Sequence, residues 1–376
     1  MLSALAAVFC LAGTLYLVLA ALAVRRFKLL APKVSAAKPA ATLLKPLHGA
    51  EPELYENLLS FCDQDYPVFQ LVFGLREADD PAAETVRRVM ADRPHADISL
   101  VIDGRVHGSN LKVSNLENAL AAAKYDLLVI SDSDMRVTPG YLSEVASPFD
   151  DARVGLVTCL YRGRCTGGLW SRLGTLFINH GFLPSALIGW ALAPGDACFG
   201  ATMALRRQTL ERIGGFAAFR DKLADDYALG AAVKALGLEL ALSAHLPDTL
   251  VAEADLSALF RHELRWARTI RSLAPVGYAA SLVTQPVILA ALFMLLSGFT
   301  LTSAWVFGIA FFFRLAMVGF IDRALGSLPT PLWLVPFRDL LSFMVFVASF
   351  CGNRIDWRDQ RFRLAEDGSL VVNGDT

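Results

Sequence analysis

The stretch LVISDSDMRV, residues 128–137, indicates the fold and raises the first question about function. An apolar run typical of a buried β-strand ends in two carboxylates, Asp132 and Asp134. Side chains at i and i+2 of an extended chain point the same way, so these like charges repel each other. A divalent cation beside them would relieve the repulsion. A solvated strand end or a turn is the alternative interpretation, and this stretch alone leaves both open.

Strand and helix patterns alternate before this stretch. The predicted elements are a strand at 71–77, a helix at 81–94, a strand at 98–103 and a helix at 114–125. The last helix opens with Ser114 and Glu117, which have the spacing of a capping box. Strand–helix–strand–helix–strand order predicts an α/β domain, with helices on the faces of a parallel sheet.

Acidic residues follow each of the three predicted strands. They are Asp79 and Asp80, then Asp103, then Asp132 and Asp134. Parallel sheets of this kind bind ligands beyond the carboxyl ends of their strands. The recurrence of acids at these positions therefore favours a functional site over an ordinary strand end.

Segment 108–119, GSNLKVSNLENA, places Lys112 among small polar side chains. These are Ser109, Asn110, Ser114 and Asn115. Such donors around one lysine could hold a phosphate or a nucleobase. An ordinary loop leading to a helix N-cap is the alternative.

Two further motifs lie later in the chain. LADDYALG, residues 223–230, supplies Asp225 and Asp226, which could also simply favour a helix start through the dipole. HELRWARTIR, residues 262–271, carries three arginines beside Trp266. Arginine forks match phosphate oxygens and predict a diphosphate clamp. A basic helix facing anionic headgroups is the alternative.

Composition points to a membrane. Of 376 residues, 55% are hydrophobic and 19% charged, and the mean hydropathy is +0.45. The formal net charge of −1 gives no indication of a nucleic-acid partner. Six scattered cysteines without a CxxC pair make zinc a poor expectation and favour free thiols in a reducing compartment.

The N-terminal run fits an uncleaved anchor. Residues 2–24 carry no charge, and RRFK follows at 25–28. Positive charge after the apolar run places the N-terminus outside and Arg25 inside. We therefore expect an anchor at 1–25, a linker at 26–42 and the α/β domain at 43–271.

The C-terminal region, 272–352, is predicted to return to the membrane. Residues 272–313 are uncharged and have room for two spans broken near 297–303, and a third run, 331–350, is interrupted by Arg338 and Asp339. Three full spans would place the tail, 353–376, outside, yet its arginines favour the inside. We therefore expect one of these segments to be re-entrant or interfacial. Residues 173–194, apolar but with Asn, His, Gly and Pro, are a further expected interfacial element.

Together and in this order, these segments resemble family-2-type glycosyltransferases of the GT-A fold. More narrowly, they resemble the ceramide glucosyltransferase branch and its bacterial relatives that glycosylate hopanoids. The resemblance covers nearly the whole chain. It is carried by KPLHGAEPELYENL (45–58), ADDPA (78–82), GSNLKVSNL (108–116), SDSDMRV (131–137), LADDY (223–227), the Arg-Trp motif and IDWRDQRFRL (355–364).

The resemblance assigns roles to the acids. Asp79 and Asp80 correspond to the family's first acidic motif, which binds the donor. Asp132 and Asp134 correspond to its metal and sugar-nucleotide motif, which implies Mg²⁺ or Mn²⁺ as cofactor. Asp226 corresponds to the general base.

The family's (Q/R)xxRW motif falls on His262, Arg265 and Trp266, with His262 where Gln or Arg is usual. Arg265 and Trp266 are expected to be catalytic. His262, Lys112 and Asn115 are expected to contact the donor.

The implied function is inverting transfer of a sugar from a nucleotide-sugar, a UDP-sugar, to the hydroxyl of a membrane lipid. HELRWARTIR is more similar to the hopanoid-type enzymes, so the expected product is a hopanoid such as bacteriohopanetetrol carrying N-acetylglucosamine. The alternative is a ceramide glucosyltransferase. A processive polysaccharide synthase and a catalytically dead binding protein are weaker alternatives. The expected location is the bacterial inner membrane, multi-pass, with the catalytic domain on the cytoplasmic side.

Overall fold

The computed structural model describes residues 2–31, 34, 37–352, 354–357, 360–364 and 370–372. Its strands form three sheets. They are β1 (Ala41–Pro46), β2 (Phe69–Leu75), β3 (Ile98–Ile102), β4 (Leu127–Ser131), β5 (Met135–Arg136), β6 (Val154–Thr158), β7 (Arg162–Cys165), β8 (Thr202–Arg206), β9 (Glu239–Leu242), β10 (Asp248–Val251), β11 (Arg354–Trp357), β12 (Gln360–Leu364) and β13 (Leu370–Val372). The central sheet has the order β3-β2-β1-β4-β8-β6-β9. A second sheet has the order β5-β10-β7, and β11-β12-β13 form a third.

The first four strands of the central sheet run parallel, which confirms the α/β class predicted from the sequence. Strand β8 is antiparallel to both of its neighbours, β4 and β6. Its first residue, Thr202, pairs with Ser131, the last residue of β4. The chain therefore enters β8 from the edge at which β4 ends, and its direction is reversed.

The helices cover the sheet and build the membrane region. They are α1 (Leu2–Lys28), α2 (Leu54–Cys62), α3 (Pro81–Asp92), α4 (Leu111–Leu120), α5 (Tyr141–Ala146), α6 (Leu169–Phe177), α7 (Leu183–Leu192), α8 (Arg207–Arg212), α9 (Asp225–Ala235), α10 (Leu256–Leu273), α11 (Pro275–Ala280), α12 (Pro286–Leu296), α13 (Leu301–Leu325) and α14 (Leu334–Ser349). A π-helical turn, Ile178–Phe182, joins α6 to α7.

Both faces of the central sheet are buried. Neighbouring strand residues point to opposite faces, so Leu43 packs towards α2 and α3 while Leu44 packs towards α4 and α9. Strand β1 begins at Ala41, inside the predicted linker. The other predicted domain boundaries stay predictions.

The predicted start of the fourth helix at Ser114 is wrong. Helix α4 begins at Leu111, and the N-cap is Asn110, whose side chain accepts a hydrogen bond from the Val113 amide. Asn is as good an N-cap as Ser, and it comes earlier in the chain. Ser114 instead accepts a bond from the His107 amide.

Three helical segments are long and apolar enough to cross a membrane, within the part of the chain that the structure describes. They are Ala7–Lys28, Leu169–Leu192 and Leu301–Leu325. Pro275–Thr284 and Pro286–Leu296 form a pair bent by 73°, as in a broken span or a re-entrant loop. The break expected near 297–303 is observed between α12 and α13.

The third expected C-terminal span, 331–350, contains only the 16 residues of α14. Residues 173–192 of the segment 173–194, which was expected at the interface, fall within Leu169–Leu192, and Leu169–Leu192 meets the length and hydropathy of a span. Its interfacial position, the re-entrant segment and the side of the tail therefore stay predictions. In the tail motif at 355–364, residues 358 and 359 lie outside the described residues.

Candidate active site

Asp134 lies just beyond the carboxyl end of β4 and is fixed by the small sheet. The Leu250 amide donates to its carbonyl at 3.1 Å, and the Thr249 hydroxyl donates to its Oδ2 at 2.7 Å. Burial, followed by repulsion from Asp132, raises the pKa of Asp134 to about 6. The repulsion predicted from the D-x-D spacing is thus present in the fold.

Lys112 joins the two acidic motifs. Its Nζ lies 2.7 Å from Asp132 Oδ1 and 3.7 Å from Asp225 Oδ2. Burial opposes its charge, but the two carboxylates outweigh burial and raise the pKa of Lys112 above its usual range. Lys112 lies in the first turn of α4, not in a loop, because that helix starts at Leu111.

We expect Lys112→Met to lower the free energy of unfolding by about 1–3 kcal/mol, because it leaves the partly buried carboxylates of Asp132 and Asp225 without their shared cation. Thermal unfolding in detergent measures this. Lys124→Met is the matched control, since Lys124 pairs with Asp97 at the surface. Equal losses in the two variants would contradict the bridging role.

Asp226 lies in the first turn of α9 and faces another loop. Its Oδ2 accepts a hydrogen bond from the Gly200 amide at 2.9 Å, and its Oδ1 accepts from the Tyr227 amide at 2.8 Å. A Cβ on residue 200 would lie 3.0 Å from Asp226 Oδ2, which favours glycine there. Burial, followed by Asp225, raises the pKa of Asp226 to about 6. The N-cap of α9 is Ala224, so Asp226 is not the cap residue.

Helix α10 brings the Arg-Trp motif to this edge. The ring of Trp266 stacks on Phe177 with centroids 6.0 Å apart and lies 4.3 Å from the ring of His262. Nδ1 of His262 lies 2.8 Å from Glu253 Oε1. His262 thus positions Trp266 and is tied to Glu253.

Tyr161 lies among the charged groups of the site. Burial raises the pKa of its hydroxyl, the carboxylates of Asp134, Asp226 and Asp132 raise it further, and Arg265 lowers it. One partly buried phenol therefore has both acidic motifs and the motif arginine as charged neighbours.

The sequence model of the family described as Glycosyl transferase family 21 matches residues 5–370. The chain belongs to this family. It is 26% identical over 346 residues to Ceramide glucosyltransferase 1 of Caenorhabditis elegans, covering 88% of this chain and 73% of that protein. It is 25% identical over 354 residues to Ceramide glucosyltransferase 3 of the same organism, covering 90% and 76%.

A solved structure supports the fold of this family 21 glycosyltransferase. Mannosyltransferase PcManGT from Pyrobaculum calidifontis, solved in complex with GDP-Man and Mn²⁺, is similar with a TM-score of 0.56 and 21% identity. The likeness covers 93% of this chain and 98% of that one. The predicted GT-A fold and glycosyltransferase class are confirmed.

Two residues predicted to contact the donor make hydrogen bonds within the fold. The buried side chain of Asn115 donates to the Gly74 carbonyl at 2.9 Å and packs α4 against β2, and its contact with the donor stays a prediction. Asp80 is the N-cap of α3 and accepts hydrogen bonds from the amides of Ala82 and Gly49. Asp79 is exposed beside it.

The three arginines of HELRWARTIR, all on α10, do not form one clamp. Arg268 donates to the Cys351 carbonyl at 2.8 Å and Arg271 to the Gly352 carbonyl at 3.0 Å, so both bind the chain just beyond α14. Arg268 lies on nearly the same face of the helix as Arg265, so it is the hydrogen bond to Cys351 and not the helical spacing that holds it elsewhere. The predicted diphosphate clamp therefore rests on Arg265.

Sequence analysis missed Lys45, a buried residue of β1 beneath the acidic loop. Its Nζ donates to the Asp132 carbonyl at 2.7 Å and lies 3.5 Å from the centroid of the Phe61 ring. Burial lowers the pKa of Lys45 to about 7, against the attraction of Asp134 and Asp132. A lysine within an apolar strand was the available signal.

The residues present fit a divalent cation. Burial, followed by repulsion from Asp132, raises the pKa of Asp134, and a cation beside the two carboxylates would relieve the repulsion. Among the described residues, no three His, Cys, Asp or Glu side chains gather as a complete ligand set. Mg²⁺ commonly uses one or two carboxylates together with substrate phosphates, and this site offers that arrangement.

Proposed function

We propose that this family 21 glycosyltransferase transfers glucose from UDP-glucose to the primary hydroxyl of ceramide. The two nematode relatives, aligned over 88% and 90% of this chain, are ceramide glucosyltransferases. They support the alternative acceptor named from the sequence better than the hopanoid and N-acetylglucosamine expected first.

The observation that carries the proposal is the Lys112 bridge. It brings Asp132 and Asp225 to one lysine, and this supports a metal motif next to the predicted base, since Asp226 follows Asp225 directly. The hydroxyl of Tyr161 is influenced by the charges of both acidic motifs and of Arg265, which supports one site made of these three motifs. A nucleotide diphosphate, an anomeric carbon and a hydroxyl could meet there.

In the proposed reaction, Asp226 takes the proton from the lipid hydroxyl while the oxygen of that hydroxyl bonds to the anomeric carbon of the sugar. The bond from that carbon to the diphosphate oxygen breaks, and UDP leaves from the opposite side. Direct displacement inverts the anomeric centre. Arg265 balances the charge that develops on the diphosphate. A divalent cation held by Asp134 and Asp132 would, when bound, neutralise the same charge.

A row of aromatic side chains supports a lipid acceptor. Tyr161 stacks on Phe182 at 4.9 Å, Phe182 meets Phe199 at 6.0 Å, and Phe199 meets Trp190 at 6.5 Å. All four rings are partly exposed. The row leads from the acidic groups to α7, which packs against α1. It offers an apolar surface to a chain entering from the bilayer.

The proposed setting is a bacterial inner membrane, with the sheet domain on the cytoplasmic side. The basic residues at the end of α1, Arg25, Arg26 and Lys28, support this orientation. They precede the segment that leads into β1.

Lipid extracts from ceramide-supplied cells with and without the gene, compared by mass spectrometry, test the proposal. We expect a hexosylceramide that depends on the gene. An N-acetylhexosaminyl hopanoid would overturn the acceptor but keep the reaction class. A polymer would favour the processive synthase, and no new product would favour the inactive binding protein.

Replacing Arg265 with lysine keeps the charge and removes the fork. If Arg265 balances the leaving diphosphate, we expect turnover to fall about 10²-fold, the loss typical of one transition-state donor. Arg271→Lys, on the same helix, is the matched control and should be nearly silent. If both variants turned over at the wild-type rate, the result would favour a basic helix that only faces anionic lipid headgroups.

A further inference from the structure

The most deeply buried ion pair among the described residues joins the membrane region to the Arg-Trp helix. Arg338 of α14 and Glu263 of α10 are only 1% and 3% exposed. Two parallel bonds of 2.7 Å connect the guanidinium to the carboxylate. Arg338 also donates to the Leu173 carbonyl and to the Ser342 hydroxyl. This guanidinium therefore ties α14 to both α10 and α6.

Helix geometry relates Glu263 to the residues of the proposed site. Successive residues of an α-helix are 100° apart, so Glu263 and Arg265 point to nearly opposite sides of α10. Anchoring Glu263 on the α14 side fixes the rotation of α10 about its axis. That rotation sets where Arg265 points on the other side.

A second contact runs from Arg338 to the motif tryptophan. The Arg338 guanidinium lies 5.5 Å from the centroid of the Phe177 ring, and Phe177 stacks on Trp266. Trp266 is therefore supported through Phe177 as well as through the backbone that Glu263 fixes. Both contacts start from one side chain of α14.

A buried pair of this kind is not needed for stability alone, because well-packed apolar residues often serve as well or better. What the pair supplies is a directional, two-point contact. We propose that Arg338 and Glu263 are positioning residues, which hold Arg265 and Trp266 in the orientation that glycosyl transfer requires. This inference rests on the proposed function, since it gives Arg265 a role in the reaction.

The chain offers a matched control in the next residue. Asp339 pairs with Arg314 of α13 at 2.8 Å, and these side chains are 12% and 10% exposed. Arg314 also donates to the His180 carbonyl. This second pair is also largely buried, but it joins α14 to α13, whereas the Arg338–Glu263 pair joins α14 to the helix that carries the motif.

The test compares Glu263→Gln with Asp339→Asn in purified full-length protein. Thermal midpoint, the stoichiometry and affinity of UDP binding, kcat and the donor KM are measured for each. We expect similar losses of thermal midpoint and full UDP stoichiometry in both. Only Glu263→Gln should lower kcat, about 10²-fold, as misplacement of a reacting group does. Asp339→Asn should keep kcat within about twofold, because the ion-pair partner of Asp339 lies on α13 and not on the motif helix.

Wild-type kcat in Glu263→Gln, or an equal loss in Asp339→Asn, would overturn the proposal. If Glu263→Gln does not fold, Phe177→Leu takes its place, since it interrupts the contact between Arg338 and Trp266 without unpairing a charge. Phe177→Leu is expected to lower kcat about tenfold with UDP affinity unchanged, and wild-type kcat there would overturn the proposal. If Arg265→Lys keeps the wild-type kcat, the proposed role of Arg265 in the reaction is wrong. If Arg265→Lys is impaired while Glu263→Gln is not, only the positioning role fails.

Discussion

Asp226→Asn is expected to yield a folded protein that binds UDP-glucose but transfers sugar about 10²–10⁴-fold more slowly. The side-chain oxygen of Asn can still accept the hydrogen bond from the Gly200 amide, so the local fold should persist. What is lost is the group that takes the proton from the lipid hydroxyl. A helix-stabilising role alone would cost about 1 kcal/mol of stability and little activity.

Asp225→Asn is the neighbouring control for this prediction. Asp225 pairs with Lys112, so its replacement should reduce stability more than turnover. A dead Asp225→Asn beside an active Asp226→Asn would move the base by one residue.

The pH profile provides a second readout for Asp226. Burial and Asp225 raise its pKa to about 6, so the carboxylate is a base only above that pH. We expect kcat/KM to fall as pH drops through about 6. The raised pKa has the opposite effect on folding: its contribution to stability is complete below the unfolded carboxyl pKa and is lost as pH rises through about 6. As the pH rises from 4.5 to 8, ionisation of Asp226 should therefore increase the activity and lower the thermal midpoint.

Loss of the Asp134 carboxylate should be as severe. Asp134→Ala and EDTA are each expected to abolish transfer, and Mg²⁺ or Mn²⁺ should restore only the chelated wild-type enzyme. The physical reason is that the leaving diphosphate would lose the cation that balances its charge.

Thr249→Val is the control for the metal prediction, because it removes the hydrogen bond to Asp134 and keeps the carboxylate. It should raise the metal concentration required, about 10–100-fold, without abolishing transfer. Full activity of the wild-type enzyme in chelator would contradict the metal assignment.

Local patterns were sufficient to predict the sheet domain. Acids after β2 and β4, and a basic Arg-Trp helix, can be recognised because strand ends and helix periodicity are local features. Partners distant in the chain could not be predicted in this way. Nothing near Lys112 indicates that it binds Asp225, and nothing near Tyr161 indicates that the acids surround it.

The role of charged residues within apolar segments could not be predicted from the sequence either. Arg338 and Asp339 were treated as interruptions of a span, yet each forms a buried ion pair with a different helix. Their partners, Glu263 and Arg314, lie 75 and 25 residues away in the chain. Sequence alone shows the unpaired charge, and only the packing of α10, α13 and α14 shows what neutralises it.

The most direct test supplies purified protein in liposomes with radiolabelled UDP-glucose and, in separate samples, ceramide, bacteriohopanetetrol or no acceptor. Wild type and Asp226→Asn are compared side by side. The predicted result is label in glucosylceramide with inverted anomeric configuration, from the wild type alone. Label in no lipid, or equal label from Asp226→Asn, would contradict the assignment of this acidic edge as a lipid glycosylation site.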